Sequence, residues 1–261
     1  MDKRLQIITN AALAAGSQIL KYDPLTVKTE VKSSEGDLVT AADLGSEKVI
    51  TRTIKAAYPD DKVISEETST GHELLVPEKL PKLTGWVIDP LDGTNNFKKG
   101  MAYSGISIGY IESGEIVLAA VYDPYRKELY LSQKGKGTTR NGQLIHVADK
   151  SVFDAGTRVC TSNSYEGGTQ ANIERYTKLG HVWVDVLGSA VLIMTDVASG
   201  RLDIYHHNGL KPWDNAAAFL ILEEAGAKLT DLRGNPTTWL TSEVVVGNDS
   251  LVDEFVRLIN R

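Results

Sequence analysis

Trp86-Val87-Ile88-Asp89-Pro90-Leu91-Asp92-Gly93-Thr94-Asn95-Asn96-Phe97 is the stretch around which the rest of the chain is read. Trp86 to Ile88 has the apolar, β-branched look of a buried strand, and Pro90 and Gly93 should break it. The strand therefore delivers two carboxylates, Asp89 and Asp92, at its end, followed directly by a glycine and a hydroxyl. Hard oxygen ligands beside backbone N–H groups suit a cation that bridges protein and phosphate. Taken alone, the same residues also read as a turn whose aspartates satisfy local amides. They do not read as an EF-hand: counting from Asp89, positions that need oxygen ligands hold Leu91, Gly93 and Gly100.

Outward from that stretch, 261 residues are enough for one large core or two apposed halves, and 42% hydrophobic with 24% charged residues is ordinary globular composition. A formal charge of −6 argues against a nonspecific nucleic-acid binder, which needs excess Lys and Arg to displace counterions. The single Cys160 excludes an intrachain disulfide and any multi-thiolate metal site, so a reducing cytoplasm is the expected location. Asn10 and Gln18 interrupt the N-terminal apolar pattern, so neither an export signal nor a membrane anchor is expected.

Leu5, Ile8, Ala12, Ala15 and Ile19 recur at helical spacing and predict a helix from about Asp2 to Lys21. Pro24 through Gly36 reads as a loop with short strands near Val27 to Val31 and Lys32 near its tip. A second helix is expected from Thr40–Asp43 to Ala57, and a short strand from Lys62 to Ser65 ends in Glu66-Glu67. Thr68 to Gly85 reads as a surface excursion. Tyr103 to Tyr110, Glu115 to Tyr122 and Glu128 to Ser132 read as strands, and Asn141-Gly142 as a hairpin turn closing an antiparallel sheet. Gly135-Lys136-Gly137 fits no nucleotide-binding pattern and is taken as a hairpin element.

From Thr157 strands and helices alternate: strands near Arg158 to Thr161, His181 to Val184 and Leu202 to Tyr205, with helices at Gln170 to Leu179, Ser189 to Ala198 and Trp213 to Ala225. Strands at Lys228 to Thr230 and Val244 to Val246 and a helix at Leu251 to Ile259 follow. The fold class is α+β, with an antiparallel-sheet N-terminal half, residues 1–149, and an α/β C-terminal half, residues 150–261.

Several acids carry a bland reading of their own. Thr40-Ala41-Ala42-Asp43 is a capping box, Glu66-Glu67 is a solvated pair, and Asp214 complements a helix macrodipole just after Pro212. His206-His207 does not read as a zinc site, because adjacent strand residues point to opposite faces.

In combination the motifs say more. Asp89-Pro90-Leu91-Asp92-Gly93-Thr94 resembles the metal-binding signature of the inositol monophosphatase family of magnesium-dependent, lithium-sensitive phosphatases. Asp37-Leu38-Val39-Thr40-Ala41-Ala42-Asp43, Ser65-Glu66-Glu67 and Trp213-Asp214-Asn215-Ala216-Ala217 stand in that family's order, so the resemblance spans nearly the whole chain. It implies a layered α/β/α/β/α sandwich, a homodimer, and a site between the halves. It also implies that Glu66 and Asp89 hold one metal with the Leu91 carbonyl, and that Asp89, Asp92 and Asp214 hold a second. Glu66 would help place a third.

Two charges about 4 Å apart repel by roughly 4 kcal/mol at an effective dielectric of 20, so such a cluster asks for cations. All-oxygen donors point to Mg²⁺, with Mn²⁺ as a substitute. By the same resemblance Asp43, Glu66 and Thr94 prepare the attacking water. The amides of Gly93 and Thr94 hold phosphate, and Lys32 lends charge. Gly188-Ser189-Ala190 lines the alcohol side, with Asp92 and Asp214 also facing substrate. His207 stands where the family has a glutamate for an inositol hydroxyl; Ser65, Asn95 and Ala217 are milder departures.

The expected activity is hydrolysis of an inositol or sugar monophosphate. Relatives acting on fructose 1,6-bisphosphate, 3′-phosphoadenosine 5′-phosphate or histidinol phosphate are alternatives, and non-catalytic macromolecular binding is the alternative of another class. The expected partner is a small phosphorylated alcohol, with no nucleic acid and no membrane.

Overall fold

The structure is a computed structural model that describes residues 3–32, 37–68, 71–161 and 168–261. The tip of the loop expected after Pro24, and part of the excursion expected after Thr68, lie outside the described residues. The first half runs α1 (Lys3–Ile19), β1 (Thr29–Val31), β2 (Leu38–Thr40), α2 (Ala41–Ala57), β3 (Lys62–Ser65), β4 (Gly85–Asp92) and α3 (Thr94–Lys98), then β5 (Gly105–Glu112), β6 (Glu115–Asp123), β7 (Glu128–Gln133), β8 (Thr138–Arg140) and β9 (Gln143–Ile145). The second half runs β10 (Arg158–Thr161), α4 (Gly168–Tyr176), β11 (Trp183–Val186), α5 (Ala190–Ala198), β12 (Ile204–Asn208), α6 (Pro212–Glu224), β13 (Lys228–Thr230), β14 (Glu243–Gly247) and α7 (Asp249–Ile259).

β3 to β9 form a seven-stranded sheet in sequence order, parallel between β3 and β4 and antiparallel thereafter. The second sheet, ordered β11-β10-β12-β14-β13, is parallel on one side of β12 and antiparallel on the other. Alternation along the strands sorts their side chains onto opposite faces. Trp86 and Ile88 join α1 and α2 in one core, while Val87 between them joins α5 and α6 in another. In the second sheet Tyr205, Val244 and Val246 face α5 and α6, and Ile204 and Val245 face α7. The result is five layers: α1 with α2, the large sheet, α5 with α6, the small sheet, and α4 with α7. α5 is buried along its length and α6 from Asn215 to Leu222, as central helices between two sheets must be.

Most boundaries move by a residue or two from those expected. The strand expected to break at Pro90 instead continues to Asp92, with its register shifted between Asp89 and Asp92. Proline donates no ladder hydrogen bond, but a bulge leaves its position unpaired, so the strand bends there instead of ending. The Asn141-Gly142 turn is as expected, with both φ angles positive, at 49° and 82°, linking β8 to β9. Gly135 and Gly137 lie in the β7–β8 hairpin, where their N–H groups donate to Glu224 at the end of α6, each at 2.7 Å.

His206 and His207 do face opposite ways. His206 is fully buried, its Nδ1 lies 2.6 Å from the Tyr176 hydroxyl, and burial pulls its imidazole down to about 3. Between that value and the ordinary 6.5 the unfolded chain takes up a proton that the folded chain refuses. This contribution to stability is complete above pH 6.5 and is lost as pH falls. His206 alone should make the protein about 2 kcal/mol less stable near pH 5 than near pH 7.5. Urea denaturation at both pH values checks this, with His206→Gln expected to flatten that part of the pH dependence.

Candidate active site

β4 carries Asp89 beyond the point where its apolar run ends. The Pro90 carbonyl accepts a hydrogen bond from Ser46 on α2 at 2.6 Å, and Gly93, with φ of 88°, turns the chain into α3. A Cβ on Gly93 would stand 3.1 Å from the Gly188 carbonyl and 3.2 Å from both Ser189 Cβ and the Tyr103 carbonyl, so conformation and space both call for glycine. Asp214 arrives at the start of α6. Carboxylate oxygens of Asp89, Asp92 and Asp214 all lie within 4.8 Å of one another. Glu66 follows β3, its N–H donating to the Ile88 carbonyl at 3.2 Å.

Each aspartate is aimed by a backbone N–H on one oxygen. Asp89 accepts from Leu91 at 3.0 Å, Asp92 from Val191 at 2.9 Å, Asp214 from Lys211 at 2.7 Å and Asp43 from Thr40 at 2.8 Å. Burial and then the charges of Glu66, Asp92 and Asp214 push Asp89 well above the usual carboxylate range. Burial followed by Asp92 and Glu66 does the same to Asp214. Burial also lifts Asp92, to about 7, against the pull of its bonds from the Ser189 hydroxyl and the Val191 N–H. Three hard carboxylates so crowded, with no lysine ammonium or arginine guanidinium bonded to any of them among the described residues, fit a divalent cation.

The capping and site readings of Asp43 hold together. Its Oδ2 accepts the Thr40 N–H at the start of α2, while its Oδ1 lies 2.8 Å from Thr94 Oγ1. Thr94 Oγ1 is also 3.1 Å from the Leu91 carbonyl, and its one proton favours the shorter, charge-assisted bond to Asp43. Burial raises Asp43 despite the Thr40 and Thr94 hydrogen bonds.

Lys32 reaches Glu66 at 2.8 Å and Glu67 at 2.7 Å. Burial alone would lower its ammonium, but the two glutamates outweigh that and hold it above its ordinary value. Glu67 is not the solvated neighbour expected from sequence: its side chain is only 3% exposed, and burial and Glu66 lift it to about 8 against the pull of Lys32.

Gly188, Ser189 and Ala190 lie beside Asp92 and Gly93, since Ser189 Oγ donates to Asp92 Oδ2 and caps α5. His207 is buried near the carboxyl end of β12. Its ring is nearly parallel to that of Tyr205 at 6.1 Å, its Nδ1 has no partner among the described residues, and burial lowers it to about 4. His72 escaped the sequence reading. Its Nε2 donates to the Ser65 carbonyl at 2.6 Å and its ring stacks on Trp213 at 4.7 Å, tying the end of β3 to the start of α6. No local pattern marks it, because the partner that gives it meaning lies far along the chain.

Residues 1–260 match the model of the inositol monophosphatase family. The chain belongs to that family. It is 37% identical over 258 residues to the Nus factor SuhB of Escherichia coli, covering 97% of this chain and 94% of the relative. It is 32% identical over 231 residues to the fructose-1,6-bisphosphatase/inositol-1-monophosphatase of Thermotoga maritima, covering 88% and 86%. The solved Thermotoga maritima IMPase superposes with a TM-score of 0.87 at 29% identity, covering all of this chain and 97% of that one. Of the departures from the family pattern, Ser65 is buried with its carbonyl taken by His72. Ala217 is buried in α6, where Gly109 of β5 comes close enough that a Cβ there would be 3.3 Å from Ala216 Cβ.

A cation bound by the three aspartates relieves their repulsion, so Mg²⁺ should raise the melting temperature, by about 2.7 kcal/mol of stability at a hundredfold excess over its dissociation constant. Asp89→Asn removes a carboxyl crowded by like charges, and should raise the melting temperature without metal while cancelling the Mg²⁺-induced rise. Calorimetry with and without Mg²⁺ measures both.

Proposed function

We propose that this chain is a Mg²⁺-dependent phosphate monoester hydrolase acting on an inositol or sugar phosphate. The observation that carries this reading is the meeting of Asp89, Asp92 and Asp214 within 4.8 Å from two distant parts of the chain. Family membership over residues 1–260, and relatives named inositol-1-monophosphatase and fructose-1,6-bisphosphatase/inositol-1-monophosphatase, support the reaction class.

In this reading Glu66, Asp89 and the Leu91 carbonyl serve one Mg²⁺, Asp89, Asp92 and Asp214 a second, and Glu66 helps with a third; Mn²⁺ substitutes. Such ions supply Lewis acidity at phosphorus and at water when bound. Thr94, held by Asp43, orients the attacking water and passes its proton toward that carboxylate. The Gly93 and Thr94 amides hold phosphate oxygens, Lys32 adds positive charge, and Gly188, Ser189, Ala190 and His207 face the alcohol. His207, neutral at physiological pH, offers a hydrogen bond where a glutamate would offer a charge, which favours esters other than a strict inositol substrate. The two halves, residues 1–149 and 150–261, contribute the acids and the alcohol-side loop respectively, apart from Asp214. A cytoplasmic homodimer completes the proposal; among the described residues no helix is long and apolar enough to cross a membrane.

A second reading, macromolecular binding beside or instead of hydrolysis, is favoured by one observation: several relatives at 36–37% identity are named Nus factor. Phosphate release from inositol 1-phosphate, fructose 1,6-bisphosphate, histidinol phosphate and 3′-phosphoadenosine 5′-phosphate, with Mg²⁺ and with lithium added, separates the two. Hydrolysis of at least one ester, dependent on Mg²⁺ and inhibited by lithium, is expected. Asp89→Asn should abolish it with the fold intact, and Thr94→Ala should slow it roughly a hundredfold. Unchanged turnover in Asp89→Asn would sink the assignment.

A further inference from the structure

Behind the acids three backbone segments meet: the turn at Gly93, the strand entry at Tyr103 and the loop at Gly188. One polar side chain is wedged among them. Asn96, buried in α3, donates from Nδ2 to the Tyr103 carbonyl at 2.8 Å. Its amide lies flush against Gly188, where an added Cβ would fall 2.7 Å from Asn96 Oδ1 and 2.9 Å from Nδ2. The loop beyond Gly188 is fixed from the other side, because Asp92 accepts from both Ser189 Oγ and the Val191 N–H. Tyr103 is fixed at its far end too: its hydroxyl donates to Asp196 near the end of α5 at 3.0 Å, and Arg126 holds Asp196 at 2.8 Å. The contacts close into a ring, from Asn96 through Tyr103, Asp196, α5 and Gly188 back to Asn96.

We propose that Asn96 is a positioning residue, a flat spacer that sets the gap between the acid-bearing turn at residues 92–94 and the loop at residues 188–190. The inference rests on the phosphatase reading above. A carboxamide has fixed thickness and few accessible rotamers once hydrogen-bonded, so it defines a distance that a flexible side chain would not. An ester has to engage the acid-bearing turn through its phosphate, held by the Gly93 and Thr94 amides and by cations on the acids, and the loop through its alcohol at the same time. Inorganic phosphate needs only the turn and its cations. A change in the gap therefore weakens the ester and spares the phosphate, whereas general damage to the fold weakens both.

The test uses the full chain in Mg²⁺, with calorimetric titration of inorganic phosphate and of a non-hydrolysable phosphonate analogue of whichever ester of the four above the parent hydrolyses fastest. Gly188→Ala, which drives a methyl group into the Asn96 amide, should weaken the phosphonate by about tenfold or more while inorganic phosphate stays within about twofold. Asn96→Ser should shift the same ratio in the same direction by a smaller factor. The double variant should recover phosphonate affinity to within about threefold of the parent, because the shortened side chain vacates the space that the methyl group needs. If Gly188→Ala does not fold, Asn96→Ser and the double variant carry the same comparison. Equal weakening of both ligands, unchanged phosphonate affinity in the single variants, or simple additivity in the double variant would each overturn the proposal. A parent protein that releases no phosphate from any ester overturns the phosphatase reading instead, and the two failures are told apart by the separate assays.

Discussion

Like charges in one cleft are the constraint on which this structure turns. Carboxylate oxygens held within 4.8 Å repel by roughly 3–4 kcal/mol per pair at an effective dielectric of 20, and burial deprives them of the water that would soften this. Left to themselves, flexible aspartates would swing apart. Here each of the three is bonded by one oxygen to a backbone N–H, from Leu91, Val191 or Lys211, and so points where its own element dictates. Held this way, the three carboxylates keep oxygens within 4.8 Å of one another. The cluster is thus loaded in the absence of a cation and relaxed by one, which is how a protein makes metal affinity out of folding energy.

The layering serves that loading. α5 and α6 lie between the two sheets, so their N-termini open toward the end of β4 while their bodies are clamped on both sides. The Ala216-Ala217 pair meeting Gly109 brings α6 close to β5, and Asp214 near Asp89 with it. The bulge at Pro90 matters for the same reason. It bends β4 so that Asp89 and Asp92, which a regular strand would send to opposite faces, reach one cavity.

Around this centre lies a shell of groups that touch no other acid of the cluster yet hold it in shape. His72 joins the Ser65 carbonyl to the Trp213 ring, Ser46 supports the Pro90 carbonyl, and Asn96 separates the Gly93 turn from the Gly188 loop. Beside them Lys32 bridges Glu66 and Glu67, at 2.8 and 2.7 Å, in a partly buried contact that water screens less than one on an open surface.

Much of this was legible in the chain. The apolar run from Trp86 to Ile88 and the helical spacing from Leu5 to Ile19 are local patterns that burial enforces, so both survive into the fold as a strand and a helix. Asn141-Gly142 was legible because only such residues take two positive φ angles cheaply. The acids could be named as a set from their motifs. Three things depended on the tertiary structure: the passage of β4 through Pro90, the burial of Glu67, and the roles of His72 and Asn96. Each depends on a partner that sequence distance hides, namely an unpaired bulge position, a lysine on another loop, a tryptophan on α6 and a glycine before α5. Local pattern determines which face of an element is apolar, because that is a property of a few neighbouring residues. Which buried polar group meets which is settled only when the layers close, because hydrogen bonds and charges act over a few ångströms of space and take no account of position along the chain.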